Sequence, residues 1–333
     1  MPPFFRHPAS LEHDTGFGHP ERADRIRAVE AELESHDWLG WQPVEAPAAT
    51  EEQLLRIHPR EYVEQVREFS ERSQPFDMDT PTSAGSYEAA LRAAGGACAL
   101  VESLLSGGEH TGFSCLRPPG HHAETATAMG FCLFANVAVA ARHALDALGA
   151  ERILVLDWDV HHGNGTNALF HDSSELLFAS IHRFPFWPGT GALSDVGEGE
   201  GEGYSINLPV PAGTGEAAFL SLVEHVVAPA ARQYRPDLIL ISAGYDAHCA
   251  DPLGGLALDT SSFGGMSSRV RALGDELGAP VGAVLEGGYD LRALASSVAE
   301  TMAALADGAV PPEVARHPLA EQAAEVLGRY WEL

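Results

Sequence analysis

Residues 157–165 hold the densest set of reactive side chains in the sequence, and they read DWDVHHGNG. They directly follow residues 153–156, an apolar run that is typical of a strand buried on both faces. Because side chains alternate between the faces of a strand, the spacing predicts that Asp157, Asp159 and His161 lie together at its carboxyl end. Two carboxylates and an imidazole without a thiolate suit Zn²⁺ or another first-row divalent metal. For these residues alone, a solvated turn that leads into a helix is the alternative.

Reactive residues also follow three other apolar runs, in the segments RPPGHH (117–122), AGYD (243–246) and GGY (287–289). In a parallel α/β sheet, ligands collect outside the carboxyl ends of the strands, so these segments are expected to meet at one edge. Asp246 is then the natural third metal ligand beside Asp159 and His161, and one coordination position stays open for water. A metal in such a site polarises carbonyl oxygens and activates water, which is the chemistry of amide or ester hydrolysis.

Proton transfer is predicted for the histidine pair at residues 121 and 122, which follows a Pro-Pro-Gly turn. Asp157 and Asn164 are the expected hydrogen-bond partners of His121 and His122. A carboxylate partner makes a histidine a stronger base, whereas an amide only orients it. Tyr289 follows two glycines, and its phenol is expected to donate a hydrogen bond to a developing oxyanion.

The order of apolar and amphipathic segments predicts a parallel α/β architecture in a single domain over residues 1–333. The apolar runs predicted as strands are 113–116, 153–156, 176–181, 204–210, 237–242 and 281–286. The segments predicted as helices are roughly 20–36, 51–72, 84–106, 134–148, 215–233, 261–278 and 290–306.

The formal net charge is −27, from 20 basic and 47 acidic residues, which argues against a basic surface for nucleic acid or anionic membranes. The acidic surplus favours cationic substrates, although acidic surface residues also serve solubility. No apolar stretch approaches the roughly 18 residues of a membrane span, and no leader pattern opens the chain, so we expect a cytoplasmic protein. The four cysteines, at 98, 115, 132 and 249, form no C-x-x-C pair and are expected to be buried thiols.

The chain resembles the histone deacetylase superfamily, within the arginase/deacetylase fold, and looks most like its bacterial class II type deacetylase-like amidohydrolases. The resemblance is carried by HPER (19–22), RPPGHH (117–122), MGFC (129–132), DWDVHHGNG (157–165), PGTG (188–191), SAGYDAH (242–248), DPLGG (251–255) and LEGGY (285–289). It implies a three-layer αβα fold with an eight-stranded parallel sheet. Asn164 stands where class I enzymes carry Asp, which agrees with class II.

For the site, the resemblance implies Zn²⁺, or Fe²⁺ in the cell, on Asp159, His161 and Asp246. It implies that His122 is the main general base and acid, that His121 is its electrostatic or proton-sharing partner, and that Tyr289 is the oxyanion donor. It also implies a structural K⁺ beside the metal, on oxygens of Asp157, Asp159, His161 and Ser180.

The substrate tunnel of this family is lined by aromatic side chains with a glycine near the scissile amide. Gly130 and Phe131 match one wall, and Trp187, with Phe186 as the alternative, matches the other. Leu253 takes the position where a polyamine-selective relative carries Glu. The resemblance therefore implies an acyl-lysine peptide or protein as the substrate.

Three alternatives remain in view. An acetylpolyamine amidohydrolase would share the metal site, and it is favoured by the net charge of −27 but disfavoured by Leu253. A binuclear manganese ureohydrolase of the same fold would need additional bridging aspartates, and a noncatalytic acyl-lysine binding module would be marked by a lost ligand or tyrosine. The sequence leaves open whether the chain forms a homo-oligomer.

Overall fold

The computed structural model describes all 333 residues, and its centre is one sheet of eight parallel strands in the order β2-β1-β3-β8-β7-β4-β5-β6. The strands are β1 (Pro3–Arg6), β2 (Gln42–Glu45), β3 (Thr111–Ser114), β4 (Ile153–Asp157), β5 (Leu176–Arg183), β6 (Ser205–Val210), β7 (Leu238–Ala243) and β8 (Val281–Leu285). The predicted fold class, a three-layer αβα architecture on an eight-stranded parallel sheet, is confirmed.

Helices cover both faces of this sheet. They are α1 (Asp24–Ser35), α2 (Glu51–Leu55), α3 (Arg60–Glu71), α4 (Ser86–Leu105), α5 (Asn136–Ala147), α6 (Asn164–Leu169), α7 (Glu216–Leu222), α8 (Ala228–Tyr234), α9 (Thr260–Leu277), α10 (Leu291–Asp307) and α11 (Pro318–Leu327). A π-helical turn, Val223–Val227, joins α7 to α8. One hydrophobic core contains side chains of α1 and α7 to α11, and a second contains side chains of α2 to α5.

The central strand β4 shows why the sequence forms this sheet. Leu154 and Leu156 pack into the core on one face, whereas Ile153 and Val155 pack into the core on the other. A strand covered on both faces needs apolar residues at every position, and all five residues of β4 are buried. The reactive residues from Asp157 onward therefore follow a strand whose position is fixed by complete burial.

Several predicted boundaries are wrong for identifiable reasons. The predicted helix over 51–72 is two helices, because Pro59 cannot continue the hydrogen-bond ladder of α2 and instead precedes α3. The strand expected at 113–116 lies two residues earlier, at Thr111–Ser114. Strands β1 and β2 were not predicted, since each has only four residues and contains proline, and helices α6 and α11 were also missed.

Two further features concern the surface and the cysteines. None of the helices combines the length and the apolar character that crossing a membrane requires. Three of the four cysteines are buried, as expected, but Cys249 is exposed in the loop after β7. The absence of a second cysteine nearby did not reveal that the chain turns outward there.

Candidate active site

The carboxyl ends of the adjacent strands β8, β7 and β4 surround a cavity of about 300 Å³ at one edge of the sheet. The side chains that line it come from segments far apart in sequence, and they are His19, Pro20, Asp79, His122, Gly130, Phe131, His161, Trp187, Leu253 and Tyr289. Because parallel strands point their carboxyl ends to the same edge, the loops after them converge on this cavity.

Asp159, His161 and Asp246 form a compact cluster at the cavity. His161 Nδ1 lies 3.1 Å from Asp159 Oδ1 and 3.2 Å from Asp246 Oδ2. Strand β4 ends at Asp157, so Asp159 and His161 belong to the following loop rather than to the strand. The loop turns because Asp157 Oδ1 accepts a hydrogen bond from the Asp159 amide at 3.0 Å.

Backbone amides donate hydrogen bonds to both carboxylates of the cluster. Val160 N donates to Asp246 Oδ1 at 2.8 Å, and Gly287 N donates to Asp159 Oδ2 at 2.8 Å. A Cβ atom at Gly287 would lie 2.3 Å from Asp246 Oδ2 and 2.5 Å from Asp159 Oδ2. Only glycine therefore allows the backbone after β8 to approach the two carboxylates this closely.

The cluster fits a divalent metal. Asp246 Oδ2 is buried and accepts no hydrogen bond, although it lies beside His161 Nδ1. Burial and the neighbouring Asp159 carboxylate raise the pKa of Asp246 to about 7, so the protein alone does not compensate these charges. Tetrahedral sites with bonds of about 2.0–2.1 Å separate ligand atoms by about 3.3 Å, close to the two distances measured from His161.

The paired histidines have different partners. His121 Nδ1 lies 2.9 Å from Asp157 Oδ2, and His122 Nδ1 lies 2.8 Å from Asn164 Oδ1. Burial alone would lower the pKa of His121, but the carboxylates of Asp157 and Asp159 outweigh it and raise the pKa to about 10. Burial, together with the neighbouring imidazoles, lowers the pKa of His122 well below its ordinary value. Near neutral pH, His121 is therefore cationic and His122 is a neutral base.

Tyr289 lines the same cavity as His122 and is fixed through its backbone. Its amide donates to Asp251 Oδ2 at 2.6 Å, and the guanidinium of Arg25 lies 5.0 Å from the centre of its ring. Burial, with the charge of Asp246, raises the pKa of the Tyr289 phenol well above its ordinary value. The phenol therefore keeps its proton and can donate a hydrogen bond at neutral pH.

Aromatic side chains narrow the cavity on two sides. Phe131 and Tyr289 meet edge to face at 5.7 Å, and the ring of Trp187 lies 4.6 Å from that of His122. A Cβ atom at Gly130 would come within 2.5 Å of both His122 and Trp187. Phe186, the alternative to Trp187, instead stacks on His161 at 5.2 Å behind the cavity. The cavity therefore has no room for a side chain at Gly130.

Comparison with known proteins places this geometry in a family. The family model described as the histone deacetylase domain matches residues 19–305, which is most of the chain. This chain belongs to the histone deacetylase family. Histone deacetylase 14, chloroplastic, from Arabidopsis thaliana is 40% identical over 317 residues, covering 89% of this chain and 75% of the relative.

Other members of the histone deacetylase family agree with this assignment. The histone deacetylase-like amidohydrolase of Pseudomonas aeruginosa is 39% identical over 278 residues, covering 82% of this chain and 73% of that protein. The crystal structure of the HDA15 HD domain superposes with a TM-score of 0.92 at 36% identity and covers 99% of this chain and 96% of that one. The chain is therefore a member of a hydrolase family whose relatives include amidohydrolases, and the predicted superfamily is confirmed.

The residues predicted to hold potassium lie on β4, on β5 and in the loop after β4. Asp157 and Ser180 are register partners on β4 and β5, and Ser180 Oγ lies 2.9 Å from His182 Nδ1. Asp159 and His161 lie two and four residues after Asp157 in the loop that follows β4, and Ser180 lies within β5. The potassium site remains a prediction from the family resemblance.

Sequence reasoning missed the role of Glu286 in supporting the histidine pair. This buried carboxylate accepts hydrogen bonds from Gly120 N at 2.6 Å and His121 N at 3.1 Å. Burial raises its pKa to about 7. The sequence shows only that Glu286 is a carboxylate directly after a buried strand. It could not indicate the hydrogen-bond partners, which are more than 160 residues away in sequence.

A buried ionic network behind the cavity was also missed. Glu21 pairs with Arg25 and Arg117, and all three side chains are fully buried. Arg25 donates to the carbonyl oxygens of Glu286 and Gly288, at 2.5 and 2.7 Å, and so fixes the backbone before Tyr289. The sequence shows Glu21 in HPER and Arg117 in RPPGHH, but their spacing does not indicate that the two side chains form an ion pair.

Proposed function

We propose that this protein is a metal-dependent amidohydrolase that removes acetyl or other acyl groups from the side-chain amine of acyl-lysine. The observation that carries the proposal is the cluster of Asp159, His161 and Asp246, with its unpaired buried oxygen, in a narrow cavity. His122 and Tyr289 line the same cavity. The predicted roles of these five residues are part of this proposal.

Zn²⁺ is the metal we propose for Asp159, His161 and Asp246, with Fe²⁺ as the alternative in the cell. When bound, such a metal supplies Lewis-acid polarisation of a carbonyl and lowers the pKa of water to about 7. Two carboxylates and one imidazole match the ligand types of catalytic zinc sites with an open position. A K⁺ near Asp157 and Ser180 would stabilise this part of the site.

His122 and Tyr289 supply the proton chemistry of the proposed reaction. His122 accepts a proton from the attacking water, because its lowered pKa keeps it neutral and its Nδ1 is already bonded to Asn164. The phenol of Tyr289 donates a hydrogen bond to the carbonyl oxygen as negative charge develops there. His122 then returns the proton to the departing amine, while cationic His121 stabilises the negative charge of the site.

The proposed substrate is an acylated lysine in a peptide or protein, and its aliphatic stem would lie between Phe131 and Trp187. The narrow passage past Gly130 supports a slender stem. An acetylated polyamine is the second candidate, because the net charge of −27 attracts cations and Asp79 lies at the cavity. Leu253 supports the lysine substrate, since it offers a distal ammonium no carboxylate.

The test is kcat/KM of the zinc-loaded protein on an acetyl-lysine peptide and on an acetylated polyamine, at one salt concentration. We expect hydrolysis of both with a preference for the peptide. Leu253→Glu should shift the ratio of the two kcat/KM values toward the polyamine by about tenfold, the effect of about 1.4 kcal/mol. Leu253→Gln is the matched control without the charge. Absence of hydrolysis on both substrates and on longer acyl chains would contradict the proposal.

A further inference from the structure

The side chain of Asn164 makes a different hydrogen bond at each end of its amide. Its Oδ1 lies 2.8 Å from His122 Nδ1, and its Nδ2 donates to Glu124 Oε1 at 3.0 Å. The remaining neighbours of Nδ2, at 3.5 Å, are the carbonyl oxygen of His122 and Sδ of Met129, which are also acceptors. Every partner of this nitrogen therefore accepts a hydrogen, so the amide has one favourable orientation.

The orientation of this amide decides where the proton of neutral His122 is carried. With Oδ1 toward the ring, Nδ1 must hold the hydrogen, and Nε2 keeps its lone pair. A reversed amide would present its NH₂ group to Nδ1 and force the hydrogen onto Nε2. His122 could then no longer accept a proton at Nε2, so catalysis would depend on a group that holds Asn164 in the first orientation.

Glu124 is suited to that task by its position. It lies two residues after His122 in a tight turn, where its amide donates to Thr127 O at 3.0 Å. The adjacent carbonyl of Thr125 is held by buried His58 through Nδ1 at 3.0 Å. Within this turn, the only side-chain hydrogen bond of Glu124 is the one from Asn164. A carboxylate can only accept, so a reversed amide would place its oxygen against a negative charge.

We propose that Glu124 is a positioning residue that locks the amide of Asn164 and thereby keeps the hydrogen of His122 on Nδ1. Glu124 touches neither the cavity nor the substrate in this proposal, and it acts only through Asn164. Its consequence for catalysis rests on the proposed function, because His122 is the base of that reaction. The effect of Glu124 on the tautomer of His122 does not depend on the proposed function.

The first measurement is the ¹⁵N spectrum of the imidazoles in histidine-labelled, zinc-loaded protein near neutral pH. A His122→Gln variant identifies the His122 signals. The native protein should show a protonated Nδ1 and an unprotonated Nε2, whereas Glu124→Ala should shift both signals toward the opposite tautomer. Glu124→Gln can still offer its amide oxygen and should give an intermediate result, which also covers a folding defect of the alanine variant.

The second measurement is a double-mutant cycle on kcat with an Asn164→Asp background. Glu124→Ala should lower kcat by roughly 10- to 100-fold with little change in KM, the usual effect of losing an outer partner of a site residue. In the Asn164→Asp background, residue 164 accepts through either oxygen and needs no orientation. The same Glu124→Ala change should therefore leave kcat unchanged or raise it there.

Two outcomes would overturn the proposal. An equal loss of kcat in both backgrounds with an unchanged His122 spectrum would mean that Glu124 only stabilises the loop. An unchanged spectrum together with full activity would mean that the Asn164 amide is held without it. If the protein hydrolysed no acyl-amine, the proposed function would fail, but the spectra would still decide the role of Glu124.

Discussion

The imidazole rings of His121 and His122 lie 3.9 Å apart, and their pKa values are shifted in opposite directions. Two neighbouring histidines cannot both be cationic in a buried site, because like charges repel strongly there. Asp157 places the charge on His121, and burial together with that charge lowers the pKa of His122. The pair thus divides into a cationic imidazole and a neutral one.

Replacing Tyr289 with Phe should lower kcat by about 10² to 10³-fold, because one oxyanion donor contributes on the order of 3 kcal/mol. The ring would remain against Phe131, so the free energy of unfolding should change little. Steady-state kinetics and metal content of the purified variant check this. Tyr330→Phe, which removes a surface hydroxyl bonded to Glu202, is the control. A Tyr289→Phe enzyme with normal kcat would exclude the assigned role.

Zn²⁺ should stabilise the folded protein, and Asp246→Asn should abolish that effect. A metal that binds only the folded state at about 1000 times its Kd adds about 4 kcal/mol. Without metal, Asp246→Asn should be at least as stable as the native protein, because the buried carboxylate beside Asp159 is replaced by a neutral amide. Thermal unfolding with and without Zn²⁺ measures both effects.

Asp172→Asn, at an exposed position, is the matched control and should keep the full zinc-dependent shift in Tm. A shift that survives in Asp246→Asn would mean that zinc binds elsewhere.

A methyl group at Gly130 should obstruct the cavity. Its Cβ would lie 2.5 Å from His122 Cδ2 and 2.5 Å from Trp187 Cη2, so Gly130→Ala should lower kcat/KM by at least tenfold. Gly199 has the same φ of +57° but nothing within 4 Å of the added atom. Gly199→Ala therefore carries a similar backbone cost, about 1 kcal/mol, without the obstruction. Equal kcat/KM values for the two variants would refute the steric explanation.

His58 should make the fold sensitive to mild acid. It is fully buried, donates through Nδ1 to Thr125 O and accepts through Nε2 from Ala135 N, an arrangement that requires the neutral ring. Burial lowers its pKa from 6.5 to about 4. The unfolded chain therefore binds a proton first as the pH falls, and this contribution, complete above pH 6.5, is lost progressively toward pH 4.

The loss should amount to about 3 kcal/mol, since one pKa unit corresponds to about 1.4 kcal/mol. Chemical unfolding of the native protein and of His58→Gln at several pH values between 7.5 and 4 measures it. The variant should be less stable at pH 7.5 but should show a flatter dependence on pH. His36→Gln, at an exposed position, controls for the loss of an imidazole. Parallel pH curves for native protein and His58→Gln would contradict this assignment.

The sequence allowed prediction of features that depend on local pattern. The strand before Asp157 was predictable because burial on both faces requires an uninterrupted apolar run. The meeting of Asp159 with Asp246 was predictable because parallel strands end at one edge. The edge strand β2 lacked such a pattern, since most of its residues are exposed, and its neighbour β1 is only four residues long.

Features that depend on long-range partners were not predictable. Glu286 reads as the end of a strand, and only the fold shows that it holds the backbone of Gly120 and His121. Arg25 lies on an amphipathic helix, where a charged residue is normally assigned to the solvent-exposed face. In the structure it is fully buried, because Glu21 and two backbone carbonyls compensate its charge.

The position of β8 in the sheet has a consequence for the order in which the protein matures. This strand is the last of the eight in sequence, yet it lies between β3 and β7 and is the only strand that joins the two halves of the sheet. A ribosome must therefore synthesise about 285 residues before either half can close on the other. Until then, the nascent chain exposes two unpaired strand edges, which favour chaperone binding or aggregation. The cavity is lined from loops that follow strands of both halves, so it can form only after the sheet has closed.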